Sequence, residues 1–169
     1  MVEKMGMIHL YTGNGGGKTT AALGVALRAL GHKKKVVVIQ FMKGRETGEA
    51  KIKLKNYKIY QFGRKEFVDF KKPDKKDYEL AEKGLEKAKE ILKKKPDILI
   101  LDEVNVAVAC GLLKAKDVVE VLKRIPKRTT VYLTGRYAPK ELIKISDFVT
   151  EIIDLKKPKK MVYRKGIEY

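Results

Sequence analysis

A run of residues near the start of the chain, Thr12–Thr20, combines closely spaced glycines with a lysine and threonines (TGNGGGKTT). Consecutive glycines let backbone N–H groups turn toward one anion, and the positive end of a following helix dipole adds to that attraction. Lys18 supplies a full positive charge, and the Thr19 hydroxyl is the type of group that binds Mg²⁺ in phosphate loops. The strict motif has glycine at position 12, where this chain has threonine. The run predicts a binding loop for nucleotide phosphates.

A second group of candidate residues follows an apolar strand later in the chain. The run Ile98–Leu101 leads directly into Asp102 and Glu103. A carboxylate at the tip of a buried strand is costly unless a cation offsets its charge. In phosphate-loop proteins such an acid reaches the metal from a strand beside the first strand. We therefore predict that the strand Ile98–Leu101 lies beside the first strand, and that Asp102, Glu103 or both help to bind Mg²⁺. Helix capping by Asp102 is the simpler alternative.

The elements around these two groups alternate between strands and helices. The predicted strands are Met7–Tyr11, Val36–Phe41, Tyr57–Phe62, Ile98–Leu101, Thr130–Leu133 and Phe148–Leu155. The predicted helices are Thr19–Leu30, Lys75–Lys94, Val104–Leu113, Lys116–Arg124 and Pro139–Ile145. This order predicts βαβ units and hence the α/β class. We expect one phosphate-loop NTPase-like (RecA-like) domain over residues 1–169, a mainly parallel sheet flanked by helices, with a basic tail at 156–169.

Composition excludes several other classes of protein. With one cysteine and two histidines among 169 residues, a disulfide-built fold is excluded and a zinc finger is disfavoured. We find neither a secretion signal nor an apolar run near the ~20 residues of a membrane span, so we expect a cytoplasmic protein. The net charge of +18 favours an anionic small molecule on a lysine-rich surface. A nucleic-acid partner is the less favoured interpretation, because no strand combines aromatic and basic residues as RNA-binding sheets do.

Short sequence blocks occur in order along nearly the whole chain: Tyr11–Thr20, Val38–Gly44, Ile100–Asn105, Leu133–Arg136, Ser146–Glu151 and Lys165–Tyr169. Together, and at this spacing, they resemble the phosphate-loop ATP:corrinoid adenosyltransferases. Relatives commonly carry a lysine where this chain has Gly16. They often place a phenylalanine and a tryptophan near the corrinoid, where this chain has Phe67 and Asp69.

The resemblance implies transfer of the 5′-deoxyadenosyl group of ATP to the cobalt of a corrinoid, in adenosylcobalamin synthesis or salvage. Co(I) attacks the ribose C5′ and triphosphate leaves, so the protein needs no Ser, Cys or His nucleophile. It must instead position both substrates and stabilise the leaving charge. The implied ligands are ATP, Mg²⁺ and cob(I)alamin or another corrinoid. A corrinoid-reducing flavoprotein or other reductant is the implied partner, and the small subunit size adds a predicted homodimer.

The candidate site residues form three groups. The candidates for catalysis are Lys18, Glu103 and Arg136. The candidates for Mg²⁺ are Thr19, Asp102 and Glu103. The candidates for binding the nucleotide or the corrinoid are Gly13, Asn14, Gly15, Gly16, Gly17, Lys18, Thr19, Thr20, Gln40, Lys43 and Phe67. Two alternative functions stay open at this stage: a phosphate-loop ATPase or nucleoside kinase, and a basic nucleic-acid-binding NTPase.

Overall fold

The computed structural model describes residues 6–66, 68–70 and 72–167. Its strands are β1 (Ile8–Thr12), β2 (Val36–Phe41), β3 (Tyr57–Phe62), β4 (Ile98–Asp102), β5 (Thr130–Thr134) and β6 (Phe148–Glu151). Its helices are α1 (Lys18–Gly31), α2 (Lys75–Lys93), α3 (Val104–Ala109), α4 (Ala115–Leu122) and α5 (Lys140–Ile145), with a 3₁₀ turn at Glu49–Lys51. Within the described chain, the strands form one parallel sheet in the order β3-β2-β4-β5-β1-β6. The predicted α/β, phosphate-loop NTPase-like class is confirmed.

The two most apolar strands lie in the interior of the sheet. Every residue of β2 and of β4 is buried, including Gln40 and Asp102, as their predominantly apolar sequences predict. Helix α1 covers one face through Ala22 and Ala26, while α2, α3, α4 and α5 cover the other. Because the strands are parallel, their carboxyl ends lie along one edge, where α/β proteins bind their ligands.

The place of the acidic strand differs from our expectation. β4 pairs with β2 and β5, and β5 lies between β4 and β1, so the prediction that the acidic strand neighbours the first strand is wrong. In this place Val131 and Leu133 of β5 are completely buried. Helix α1 packs across β5 and β4, and this crossing still brings its first residues to the end of β4.

Most element ends lie within one or two residues of the predicted ones, and two differ by four residues. Helix α3 ends at Ala109 instead of Leu113, because Gly111 takes a φ of 80° that breaks the helix. Strand β6 ends at Glu151 instead of Leu155. The Ile152 N–H still bonds the Thr12 carbonyl at the end of β1, and beyond that point the chain meets the glycine loop.

Helix α2 is the longest helix of the described chain and is amphipathic. It is 19 residues long and buries an apolar stripe that includes Ala81, Leu85, Ala88 and Leu92. Its other face is charged, with lysine–glutamate pairs along it. Among the described helices, none combines the length and the apolarity required to cross a membrane.

Candidate functional site

The glycine-rich loop joins the end of β1 to the start of α1. It runs from Gly13 to Gly17, and Lys18 is the first residue of the helix. Gly13 and Gly17 have φ angles of 97° and 96°, in a region that other residues rarely adopt. Thr12, in contrast, is the last residue of β1 and pairs with Glu151. Position 12 therefore has extended backbone, which explains why threonine replaces the glycine of the strict motif.

The chain that follows β6 packs against one side of this loop. The Gly15 N–H donates to the Ile152 carbonyl at 2.8 Å. A Cβ on Gly13 would lie 2.3 Å from the Ile152 oxygen, and one on Gly15 would lie 2.7 Å from the carbonyl carbon of Ile153. A Cβ on Gly16 would meet no heavy atom within 4 Å. The first half of the loop is thus closed by the chain after β6, and the Gly16 position is open.

The Lys18 side chain lies against the loop that precedes it. It is 8% exposed, and its Nζ donates to the Gly15 carbonyl. Burial and the positive charge of Arg136 lower the pKa of Lys18. The carboxylates of Glu103 and Asp154 act in the opposite direction. The three predicted catalytic residues therefore lie in one electrostatic neighbourhood, with Arg136 exposed at its border.

The Asp102 carboxylate is completely buried and accepts four hydrogen bonds from the described chain. Its Oδ1 accepts from the hydroxyls of Thr19 and Thr134, each at 2.7 Å. Its Oδ2 accepts from the Lys43 ammonium at 2.7 Å and from the Gln40 amide at 3.0 Å. A carboxylate offers about four acceptor positions. The acceptor capacity of Asp102 is thus used entirely within the protein.

Burial and neighbouring charges shift the pKa values of Asp102, Lys43 and Glu103. Burial alone raises the pKa of Asp102, but the Lys43 charge and the hydrogen bonds from Lys43, Thr134 and Thr19 outweigh it, and the pKa lies below 3.8. Burial lowers the pKa of Lys43, but Asp102 and its neighbours bring it above 10.5. Burial and the charge of Asp102 raise the pKa of Glu103 above 4.5. Asp102 and Lys43 are therefore a stable ion pair, whereas the surroundings disfavour a negative charge on Glu103.

Glu103 occupies the turn between β4 and α3. Its φ of 64° is left-handed, a conformation that costs a residue with a side chain about 1–2 kcal/mol. Its N–H donates to the Thr134 hydroxyl at 3.0 Å, and this bond helps to hold the turn. The same hydroxyl bonds Asp102, so Thr134 fixes both acids of the predicted pair.

Gln40 extends the network from β4 to the strands beside it. Its side chain is completely buried, and its amide N–H₂ donates to Glu49 at 2.9 Å as well as to Asp102. Its carbonyl oxygen accepts from Gln61 at 2.9 Å, and Gln61 also donates to the backbone carbonyl of Arg45 at 3.0 Å. The Gln40 amide is therefore held by the protein on both its donor and its acceptor side.

Thr134 and Asn105 also organise this edge, and neither was among the residues predicted from the sequence. Asn105 is completely buried, and its amide donates to the carbonyls of Tyr11 at 3.1 Å and Gly135 at 3.0 Å. It thus ties the end of β1 to the turn that carries Arg136. Each is a polar residue within or next to an apolar run, and that pattern could have singled both out.

The remaining candidates lie at the border of the site or outside the described chain. Thr20 is exposed, and its hydroxyl donates to the Gly17 carbonyl at 3.0 Å. Asn14 is exposed in the loop, and Phe67 is not among the described residues. In the described ranges, no group of three or more His, Cys, Asp or Glu side chains could hold a metal. A cation here would need a mixed oxygen set that includes Thr19.

Proteins of known family are similar to this chain over nearly its whole length. The family profile described as ATP:corrinoid adenosyltransferase BtuR/CobO/CobP matches residues 4–169. A corrinoid adenosyltransferase of Sinorhizobium sp is 36% identical, over 98% of this chain and 78% of its own length. That of Escherichia coli (strain K12) is 33% identical, over 98% of this chain and 84% of its own length. That of Pseudomonas aeruginosa is 32% identical, over 99% of this chain and 85% of its own length.

These matches cover nearly the whole chain and contain both the glycine loop and the acidic strand. They do not favour the ATPase, kinase or nucleic-acid alternatives. The chain belongs to the ATP:corrinoid adenosyltransferase family, a family of transferases that adenosylate corrinoids.

Proposed function

We propose that the chain transfers the 5′-deoxyadenosyl group of ATP to the Co(I) centre of a corrinoid, with inorganic triphosphate as the leaving group. The observation that carries this proposal is the 2.7 Å hydrogen bond from Thr19 to Asp102, which joins the phosphate loop to the acidic strand. In the reaction the cobalt electron pair forms the Co–C5′ bond. The C5′–O bond breaks, its electron pair stays on triphosphate, and cobalt becomes formally Co(III).

The glycine loop, the start of α1 and two cationic side chains would stabilise the leaving triphosphate. The Gly16 and Gly17 N–H groups and the start of α1 form an anion-binding turn. The Lys18 ammonium leaves the Gly15 carbonyl and binds a phosphate oxygen instead. The exposed Arg136 guanidinium is within electrostatic reach of Lys18 and is free to approach the same group. Charge stabilisation of this kind is the main requirement, because Co(I) needs no activating base.

We assign Mg²⁺ to the Thr19 hydroxyl and the Glu103 carboxylate. The Thr19 hydroxyl donates a hydrogen bond to Asp102, which leaves the lone pairs of the hydroxyl oxygen available. Asp102 has no acceptor position left, so it orients Thr19 and does not bind the ion directly. Hydroxyl and carboxylate oxygens are the hard ligands that Mg²⁺ prefers. When bound, Mg²⁺ would offset charge on the triphosphate and on Glu103.

Lys43 and Gln40 act on the site through Asp102. Lys43 neutralises the buried carboxylate, and Gln40 fixes its Oδ2. Gln40 also bonds Glu49, in the segment that follows β2. We therefore propose that both residues position the metal-binding edge and the loop after β2, and that neither contacts ATP directly.

The corrinoid, the reductant and the assembly complete the proposal. Phe70 is 54% exposed and is the described aromatic residue that we propose to contact the corrinoid, beside the predicted Phe67. A chain of 169 residues is small for covering so large a ligand, so we propose a homodimer. A flavoprotein or another reductant in the cytoplasm would supply the Co(I) state.

The direct test is an anaerobic reaction of the purified protein with Mg-ATP and cobalamin chemically reduced to Co(I). We expect the Co(I) absorbance to be replaced by that of a photolabile alkyl-cobalt product, with one triphosphate released per product. ADP without an alkyl-cobalt product would instead indicate an ATPase or a kinase. Analytical sedimentation of the same protein measures its mass in solution and so tests the proposed homodimer. A mass equal to that of one chain at all protein concentrations would refute the homodimer.

Lys18→Ala is the matched active-site variant, and Lys53→Ala removes the same charge from an exposed position outside the site. We expect Lys18→Ala to lower kcat/KM by about 10²–10³-fold or more, because one charged group that stabilises a leaving anion contributes on that scale. Lys53→Ala should react like the natural chain. Equal rates for all three proteins would contradict the assignment of the loop.

A further inference from the structure

The residues Ile152–Asp154, called here the C-terminal strap, contact the glycine loop directly after β6. The Ile152 N–H bonds the Thr12 carbonyl at 2.9 Å, and the Ile152 carbonyl accepts from Gly15 at 2.8 Å. Two residues further on, Asp154 Oδ1 accepts from the Gly16 N–H at 3.0 Å. The strap therefore bonds two successive N–H groups of the loop that the sequence assigns to phosphate.

The fit between strap and loop is close. Gly13 and Gly15 lack side chains where a Cβ would overlap the backbone of Ile152 and Ile153. These glycines are therefore required by the strap as well as by the turn itself. Gly16 differs, because the space around its Cβ position is open and its contact with the strap is the carboxylate of Asp154. The strap is anchored on the first half of the loop and places one anionic group on the second half.

The Asp154 contact is chemically equivalent to a phosphate contact. A carboxylate oxygen and a phosphate oxygen are both anionic acceptors, and both are bound by N–H groups of such loops. Asp154 also contributes negative charge near the Lys18 ammonium. An incoming triphosphate needs the same donor and the same cation, and it is repelled by a carboxylate that remains beside them.

The contact is also easily exchanged. Asp154 is exposed, and so is each described residue after it up to Ile167, with Leu155 at 92%. A hydrogen bond in water has little net stability, since water replaces either partner when it breaks. The side chains of Ile153, Asp154 and Leu155 are all exposed, so a movement of Asp154 uncovers little buried surface.

We propose that Asp154 is an internal competitor for the phosphate site: it occupies the Gly16 N–H in the free protein and sets the affinity of the loop for triphosphate. Binding of the nucleotide displaces the carboxylate, and its return favours release of the triphosphate product. The inference rests on the proposed function in one respect, namely that the ligand of this loop carries a triphosphate. It adds a residue outside the glycine loop and the acidic strand to the determinants of nucleotide affinity.

The test compares the natural chain with Asp154→Asn by calorimetric titration with inorganic triphosphate and, separately, with ATP, both with Mg²⁺. Asn keeps the shape and an acceptor but removes the charge. We expect Kd to fall by about three- to tenfold, because the competitor loses its charge assistance and its repulsion of the ligand. The gain should shrink at high salt, where charge repulsion is screened. A purely structural role of Asp154 predicts no salt-dependent gain.

Asp117→Asn is the control. It makes the same change at an exposed position of helix α4, so it should leave Kd unchanged. The amide NMR signal of Gly16 gives a second measurement. It should shift on Asp154→Asn without ligand and should shift again when triphosphate binds. An unchanged or weakened affinity of Asp154→Asn overturns the inference, as does a Gly16 signal that does not respond to the substitution.

The two proposals can fail separately. A natural chain that binds triphosphate but produces no alkyl-cobalt would refute the proposed reaction and leave the role of Asp154 intact. A chain that produces alkyl-cobalt while Asp154→Asn binds triphosphate no more tightly would refute the role of Asp154 alone.

Discussion

Two aspartates contact the phosphate loop and its helix from different regions, and they do so in opposite ways. Asp102 lies at the end of a central strand, is completely buried and accepts four hydrogen bonds from the described chain. Asp154 follows an edge strand, is exposed and accepts the N–H of Gly16. The comparison indicates that the buried acid fixes the geometry of the site, while the exposed acid adjusts how strongly the site binds.

The difference follows from where the sequence places each residue. Asp102 ends an apolar strand with neighbours on both sides, so its charge must be compensated within the protein. Asp154 lies beyond β6. The residues of β6 are exposed, and among the described strands β6 pairs with β1 alone, at the edge of the sheet. Solvent can compensate that charge, so its contact with the loop can break at little cost.

The largest expected effect comes from removing the buried acid. Asp102→Ala leaves the Lys43 ammonium without its ion-pair partner and frees the Thr19 hydroxyl. We expect the free energy of unfolding to fall by about 3 kcal/mol, since one partner of a buried pair is lost. Transfer activity should fall by more than about 100-fold, because the metal ligand is no longer oriented. Urea unfolding and the Co(I) assay measure the two effects.

Asp154→Ala is the matched comparison, and its free energy of unfolding should stay within about 0.5 kcal/mol of the natural chain. If the two alanine variants were equally destabilised, the distinction between a structural acid and an exchangeable acid would be lost.

The pH dependence of stability gives a second measure of the buried acid. The pKa of Asp102 in the folded chain lies below its ordinary value of 3.8, so ionisation of this carboxyl stabilises the fold. That contribution is complete above about pH 4 and is lost as the pH falls through the lowered pKa. The gap in unfolding free energy between the natural chain and Asp102→Asn should therefore narrow on acidification. A gap that stays constant down to about pH 2 would contradict the ion pair with Lys43.

The sequence predicts the buried acid far better than the exposed one. Apolar runs, and the acid that ends one of them, are local features. They correctly predicted the strands β2 and β4 and the position of Asp102 at the end of β4. The order of the strands is not local, and the sequence gives no sign that β5 separates β4 from β1. Thr19 nevertheless reaches Asp102, because α1 crosses both strands.

The strap could not be predicted for the same reason. Its contact joins residues 138 positions apart, Gly16 and Asp154. The apolar residues Ile152, Ile153 and Leu155 favoured a longer strand at the sequence level. In the structure Ile153 and Leu155 are 59% and 92% exposed, because the chain turns from the sheet edge to the glycine loop. An apolar pattern predicts burial only where another element is present to cover it.

A smaller effect is expected at Asn105, which connects the two strands that carry the loop and Arg136. Asn105→Ala removes two hydrogen bonds, to the carbonyls of Tyr11 and Gly135, from a completely buried position. We expect a loss of about 2 kcal/mol in unfolding free energy, at about 1 kcal/mol for each bond. Transfer activity should fall by more than the loss of folded protein accounts for, because the turn that carries Arg136 loses its hydrogen bond from Asn105.

Asn56→Ala is the control for that loss. The Asn56 amide bonds the Lys33 carbonyl at 2.9 Å and is at the opposite edge of the sheet. Its removal should cost about 1 kcal/mol or less and leave kcat and KM unchanged. Full activity of folded Asn105→Ala would show that Asn105 has a role in packing alone.

The smallest expected effect tests the open half of the loop, where relatives commonly carry a lysine. Gly16 has a free Cβ direction and no positive φ, so Gly16→Lys should fold without strain. An exposed charge near a bound anion contributes about 0.2–1 kcal/mol, so Kd for triphosphate should fall by about two- to fivefold. Gly24→Lys, at another unobstructed glycine within α1, adds the same charge away from the loop and should change Kd less.

The informative version of this experiment combines Gly16→Lys with Asp154→Asn. In the single variant Gly16→Lys, which keeps Asp154, the new ammonium can pair with the Asp154 carboxylate and weaken its hydrogen bond from the backbone N–H of residue 16. The two substitutions then relieve the same competition, so their effects on Kd should be less than additive. Strict additivity would mean that the charge at position 16 and the carboxylate of Asp154 act independently. In that case Asp154 would lie beside the phosphate site without competing for it.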